Sequence, residues 1–338
     1  MDDTVIRIGH GSGGRLTREL IHEIFSNRFG NIFLDNLSDS AIIPTSERNL
    51  AFTTDSYVID PIFFPGGDIG KLAVCGTVND LCVSGAMPKY MSAGFILEEG
   101  LPIDHLARIV ESMASEAKKA GILIVTGDTK VVKRGQCDKI FINTSGIGYV
   151  HPDRVHISNG SSILPGDKII ISGSMGDHAI AILSARENLT LEEEILSDAA
   201  SLNSLTEEIL KVPSEIRFMR DITRGGLGTI LAEVCEKKTF GIEINENDIL
   251  VNRSVKAICE LYGFDPLYLA NEGKMLIIVQ KTAAEKIVNE LKKNSLGKNA
   301  RIIGEITEKH QGRAVMKSII GGKRIIDMLS GEMLPRIC

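Results

Sequence analysis

The chain has 338 residues, enough for two domains of roughly 150 residues each. Apolar residues make up 43% and charged residues 24%, the balance of a globular protein with a core in each half. A net charge of -6 argues against a general nucleic-acid binder. No apolar run approaches the roughly 18 residues a bilayer span needs, and "MDDTVIRIGHGSGG" lacks the basic and apolar regions of a signal peptide. The expectation is therefore a cytoplasmic protein with neither nucleic acid nor membrane as a partner.

In chain order, "GHGSGG" reads as a turn leading into a helix, "RLTRELIHEIFSNRFG". Short strands are expected at 40–43 and 50–54. A helix through "IGKLAVCGTVNDLCVSG" follows, then a strand, "PKYMSAGFIL". "IDHLARIVESMASEAKKAG" is an amphipathic helix with Gly121 as its stop. "ILIVTGD" reads as a buried strand and "KIFINTSGIGYV" as another with a glycine kink. Turn formers in "HPDRVHISNGSSILPGD" mark a domain boundary near 150–165. Beyond it come the strand "KIIISG", a helix from "GDHAIAILSARE" and a helical segment, "TLEEEILSDAASLNSLTEEILKV". "GGLGTILAEVCEKK" and "SVKAICELYG" are helices, "KMLIIVQ" a strand, "AAEKIVNELKK" a helix and "ARIIGEI" a strand. This alternation gives an α/β (α+β) class. Pro335 and Gly331 turn the last stretch, "DMLSGEMLPRIC", into a tail that ends on Cys338.

Aspartates recur at strand ends and tight turns: Asp39, Asp55, Asp80, Asp128 and Asp221. Taken singly, each is also an ordinary turn or helix-cap residue. Together they suit Mg2+, which prefers hard oxygen ligands and commonly also takes nucleotide phosphates. Three glycine clusters, "GHGSGG", "SGSMGDH" and "TRGGLG", would let backbone N–H groups approach phosphate, although none matches a P-loop. Lys130 in "TGDTKVV" and Lys274 in "NEGKML" are point charges for phosphate or bases if desolvated. Glu272 precedes an apolar strand, where a raised pKa would suit a general base. Each of these also reads as a solvated loop charge. His10, between glycines, is a phosphate or substrate contact candidate, His22 a helix-surface residue and His178 a structural one. Cys75 and Cys82, seven apart, share a helix face and read as buried, reduced thiols.

The motifs "HGSGG", "TTDSYV", "GTVNDLCVSGAMP", "TGDTKVV", "GIGYV", "GDHAIAIL", "DITRGGLGTIL", "NEGKML" and "PRIC" occur in that order. Their series resembles the HypE family of hydrogenase maturation factors, carbamoyl dehydratases of the aminoimidazole ribonucleotide synthetase-like ATP-binding superfamily. The resemblance spans the chain, and its last four residues are the feature specific to that family. It implies an N-terminal α/β domain over 1–155 that binds ATP and dimerises, a C-terminal α/β domain over 156–325, and a mobile tail over 326–338. Asp39, Asp55, Asp80 and Asp221 would be the Mg2+–phosphate carboxylates. His10, Asn79, Gly127, Asp128 and Thr129 would border the nucleotide. Lys130 and Glu272 would be catalytic, and Cys338 would carry the substrate group.

The implied reaction is ATP-dependent dehydration of an S-carbamoyl group on Cys338 to a thiocyanate, the source of the cyanide ligand of the NiFe hydrogenase iron. HypF would supply the carbamoyl group and a HypC–HypD complex would accept the cyanide. The stretch after Asp327 would reach about 40 Å when extended at roughly 3.3–3.6 Å per residue. Two other readings stay open on the residues alone. One is a superfamily kinase or synthetase acting on a free small molecule, and the other is a carrier scaffold that ATP only switches. A selenophosphate synthetase is disfavoured because "HGSGGRL" contains no cysteine.

Overall fold

The apolar run "IGKLAVCGTVNDLCV" has no polar face, and a helix of that kind belongs inside a molecule. In the computed structural model, which describes residues 14–20, 22, 40–45, 49–189, 193–329, 331 and 333–338, that is where it lies. The first elements are α1 (Arg15–Leu20), β1 (Ala41–Ile43), β2 (Asn49–Tyr57) and a small hairpin of β3 (Phe63–Phe64) and β4 (Gly67–Asp68). The apolar helix is α2 (Ile69–Val83), and nearly all of its residues are buried. Asp68 caps it by accepting from the backbone N–H of Gly70 (2.8 Å) and Lys71 (3.0 Å).

After it come β5 (Ala86–Glu98), α3 (Ile103–Ala120), β6 (Leu123–Val132) and β7 (Ile140–Val150). Gly121 ends α3 in the left-handed conformation expected of a glycine stop, at φ 68°. Among the described residues the first half forms one sheet of order β1-β2-β7-β5-β6, antiparallel except for the β5–β6 pair.

The second half contains β8 (Lys168–Ile171), α4 (Asp177–Arg186), α5 (Asn203–Ile209), β9 (Ile216–Asp221), α6 (Gly226–Cys235), β10 (Gly241–Asn245) and α7 (Arg253–Tyr262). It continues through β11 (Met275–Val279), α8 (Ala284–Leu291), β12 (Arg301–Thr307), β13 (Ala314–Lys317) and β14 (Lys323–Ile326). These strands order as β14-β13-β10-β12-β8-β11-β9. The continuous apolar run Met275–Val279 is buried at every position, as its sequence predicts. Strands β9, β10, β13 and β14 lack so clear a signal, and the sequence reading passes over them.

Helix α2 joins the halves. It packs on β2, β5 and β7 of the first sheet and on β9 of the second. One apolar core runs through both, from Ile69, Leu72 and Val78 to Ile180, Ile182 and Leu269. Leu334 and Ile337 of the last stretch are buried in the same core.

Two expectations are corrected. Strand β6, read as buried from its apolar residues, is exposed along its length. It pairs only with β5, so it is a sheet edge, and Leu123, Val125 and Val131 face out. Residues 193–202, read as helix, form an extended loop. Tertiary hydrogen bonds take its backbone instead: Ser197 N donates to Pro65 O (2.8 Å) and Ala200 N to Glu272 O (3.3 Å). Ser and Asp in that stretch compete well against helix when such partners are near.

Candidate active site

The two halves bring four carboxylates into one electrostatic neighbourhood. Asp55 comes from β2, Asp80 from the end of α2, Asp221 from the end of β9, and Glu272 from the loop before β11. Thr53 Oγ1 donates to Asp80 Oδ2 (2.7 Å), and the Tyr57 hydroxyl donates to Asp55 Oδ2 (3.1 Å). Burial raises the Asp55 pKa against the pull of Arg224. Glu272 is buried, and its carboxyl is held well above the ordinary range by burial first and then by the charges of Asp221, Asp198 and Asp55. Its Oε1 has no hydrogen-bond partner among the described residues.

The backbone around Glu272 is rigidly tied. Glu272 N donates to Asp198 Oδ1 (3.0 Å), and Lys274 Nζ pairs with Asp198 Oδ2 (3.0 Å). Lys274 and the Glu272 N–H hold Asp198 ionised, with a lowered pKa, despite its burial. Gly273 allows the approach, because a Cβ there would lie 2.0 Å from Asp198 O. Asn79, buried in α2, spends its amide on this backbone: Nδ2 donates to Ala200 O (3.0 Å) and Glu272 O (3.2 Å), and Oδ1 accepts from Leu202 N (2.8 Å). A residue read as bordering a nucleotide thus fastens the first half to the second.

The "TGDTK" residues lie elsewhere in the single chain. Gly127, Asp128, Thr129 and Lys130 are on the exposed edge strand β6. Register across the sheet runs Asp55–Thr144–Ala93–Gly127, three strand spacings of about 4.8 Å, or about 14 Å. Lys130 and Asp128 pair with each other at 3.0 Å, in solvent. His10 and Asp39 lie outside the described residues.

Cys338 is seated against the molecule. Val58 N donates to Cys338 O (3.0 Å) and Asp60 N to Arg336 O (3.2 Å). The Arg336 guanidinium donates to Val58 O (2.8 Å) and Asp138 Oδ2 (2.5 Å), and its hydrogen bond holds the Asp138 pKa down. Cys75 and Cys82 are buried, and burial pushes both thiols up to about 12, as expected of inert core cysteines.

A hard cation fits this donor set. Buried carboxylates repel one another here, and Glu272 carries an unsatisfied oxygen. Among the described residues no three His, Cys, Asp or Glu side chains close on one point. Mg2+ commonly keeps waters and phosphate oxygens in its shell and takes only one or two carboxylates from a protein.

Comparison with known proteins gives the family. Residues 37–150 match the AIR synthase related protein N-terminal domain, and residues 165–317 match the C-terminal domain. Carbamoyl dehydratase HypE of Azotobacter vinelandii is 47% identical over 98% of this chain and 97% of its own. The chain belongs to the HypE family of carbamoyl dehydratases. A crystal structure of a HypE–HypF complex superposes with TM-score 0.86 at 45% identity, covering 92% of this chain and 99% of that one. A HypE structure in complex with ATP superposes with TM-score 0.82 at 47% identity, covering 97% and 98%. The family's two-domain α/β fold is the one seen here.

Among the residues that matter at this site, sequence reading missed Asp198, Arg224 and Tyr57. Asp198 sat inside a segment read as helix. Arg224 carries a visible signal, since it lies within the glycine cluster "TRGGLG".

Proposed function

We propose that this chain is an ATP-dependent carbamoyl dehydratase that converts an S-carbamoyl group on Cys338 into a thiocyanate. The product supplies the cyanide ligand of the NiFe hydrogenase iron. Cys338 carries this reading: it is held at the seam between the halves, where the neighbouring loop also holds the buried Glu272.

Mg2+–ATP, when bound, supplies the phosphoryl group that lets the carbamoyl oxygen leave as phosphate. Asp55, Asp80 and Asp221 would hold the metal, with Asp39. Gly127, Asp128 and Thr129, with His10 and Asn79, would border the nucleotide. Glu272 takes the proton from the carbamoyl nitrogen, and its dry site and like-charged neighbours make it a strong base once ionised. Asp198 and Lys274 fix where that carboxylate sits.

Lys130 would hold phosphoryl oxygens or tune the base. It stands about three strands from Asp55, so it would enter a site from a second copy. The exposed apolar edge of β6 supports a homodimer built on that strand. HypF is the carbamoyl donor and a HypC–HypD complex the cyanide acceptor. Residues 1–155 and 156–325 serve as the two domains, and 326–338 as a mobile arm between HypF and the seam. Six reduced cysteines agree with a cytoplasmic location, and no described helix is long and apolar enough to cross a membrane.

The test is intact-protein mass spectrometry. Protein carbamoylated by HypF and freed of nucleotide should lose the mass of one water on Cys338 when Mg2+ and ATP are added. No loss would sink the dehydratase reading. Full ATP turnover by Cys338→Ala would favour a free small-molecule substrate instead.

A further inference from the structure

His178 is among the buried titratable groups that the mechanism leaves unused. His178, the second residue of α4, is fully buried and stacks edge-on against Phe64 at 5.8 Å. Its Nε2 lies 2.5 Å from Ile337 O, the carbonyl next to Cys338, and its Nδ1 lies 2.8 Å from Ser197 Oγ. A carbonyl only accepts, so Nε2 carries the proton. In the neutral ring Nδ1 then accepts from the Ser197 hydroxyl, and Ser197 Oγ accepts in turn from Ala199 N (3.1 Å). The chain of donors runs in one direction, from the 197–199 loop through the imidazole to the tail. Burial lowers the His178 pKa, which agrees with a neutral ring.

Ser197 is the neighbour of Asp198, and Asp198 accepts from Glu272 N and pairs with Lys274. One short loop therefore meets the tail through His178 on one side and the base on the other. The same helix offers a second grip at its far end: Arg186 donates to Arg336 O (2.8 Å) and to Asp60 O (2.7 Å). Arg336 is held with φ 54°, a conformation an arginine keeps only where surrounding contacts enforce it. If the tail leaves, the buried N–H on His178 loses its acceptor, which opposes departure.

We infer that His178 is the positioning residue that seats Cys338 and links tail seating to the loop that holds Glu272. This rests on the reading of Cys338 as the carrier of the reacting group. His178 touches no reacting atom and acts through the backbone of Ile337 and the hydroxyl of Ser197.

The experiment measures two things on the full-length protein. The first is the alkylation rate of Cys338 in the uncarbamoylated enzyme, located by peptide mass spectrometry. The second is single-turnover loss of water from carbamoylated protein after ATP addition. His178→Leu should raise Cys338 alkylation and slow dehydration, each by about tenfold, the worth of one hydrogen bond. Carbamoylation by HypF should be unchanged or faster. His178→Gln retains an N–H able to reach the Ile337 carbonyl and should restore both rates to within about threefold of wild type.

Cys75 and Cys82 act as internal fold reporters, because they become labelled only if the protein opens. If His178→Leu unfolds, Ser197→Ala removes the group that orients the ring and should move both rates the same way. Wild-type rates for both in His178→Leu or Ser197→Ala, or no rescue by Gln in a folded protein, would overturn the proposal. Absent dehydration in wild-type protein would instead sink the carrier reading, while the alkylation comparison would still report on seating.

Discussion

Two aspartate–lysine pairs of this molecule have the same length and opposite settings. Asp198–Lys274 and Asp128–Lys130 are each 3.0 Å apart. The side chains of Asp198 and Lys274 are 5% and 11% exposed, and those of Asp128 and Lys130 are 69% and 70% exposed. The first pair is locked beneath Glu272 and braces its backbone. The second stands on a bare strand edge, in water, where such pairs contribute about 0–1 kcal/mol. The buried pair braces the loop that carries Glu272. The exposed pair stands where the proposed homodimer would bring a second copy.

The largest effect that separates the two regions should come from Glu272. Glu272→Gln keeps the shape of the buried site and removes the base, so single-turnover dehydration should fall by at least about 100-fold. Carbamoylation of Cys338 should be unaffected. Full dehydration in this variant would break the assignment.

Next comes the contrast between the lysines. Lys274→Met leaves Asp198 buried and unpaired and should cost about 3–5 kcal/mol in chemical denaturation. Lys130→Met should cost no more than about 1 kcal/mol. Equal losses would show that burial is not what divides the pairs.

A smaller effect is expected from pH. The folded-state pKa of Glu272 is raised, so the fold binds that proton more tightly than the unfolded chain does. Its contribution to stability is therefore present below the unfolded value, near 4.5, and declines as pH rises through the folded pKa. Glu272→Gln should then be more stable than wild type at neutral pH, with the gap closing toward pH 4.5. The dehydration rate of wild type should climb with pH over the same window, because the base works only when ionised. A stability gap independent of pH would contradict the sign.

The smallest effect is expected at the surface end of the tail. Asp138→Asn removes a partly exposed partner of Arg336 and should change Cys338 alkylation by less than about threefold.

Much of the fold was legible because local pattern and tertiary environment agree. The largely apolar helix Ile69–Val83, the amphipathic helix Ile103–Ala120 with its Gly121 stop and the buried strand Met275–Val279 all appear where periodicity puts them. The burial of Glu272 was legible as one of two readings, since a carboxylate beside an apolar strand is either drawn in with it or left in solvent, and the structure draws it in. The 193–202 segment was not. Its Glu, Leu and Ala residues favour helix while its Ser and Asp do not, and the backbone hydrogen bonds with Pro65 and Glu272 that decide it come from positions remote in the chain. The burial of β6 was misread for a related reason. An apolar strand at a sheet edge and one at a sheet centre share a sequence pattern, and only the pairing tells them apart.

By itself, the sequence determined the order of motifs, the run of aspartates at strand ends and turns, and a tail that ends in Cys338. These depend on residue identity and local spacing. Tertiary structure decided which of those residues meet. It gathered Asp55, Asp80, Asp221 and Glu272 from four distant segments, turned Asn79 into a fastener and left Lys130 on an open edge. It also set His178 under the tail, bonded to the Ile337 carbonyl. The physical reason is that contacts of this kind form across long sequence separations, where shape and burial, rather than local propensity, select the partner.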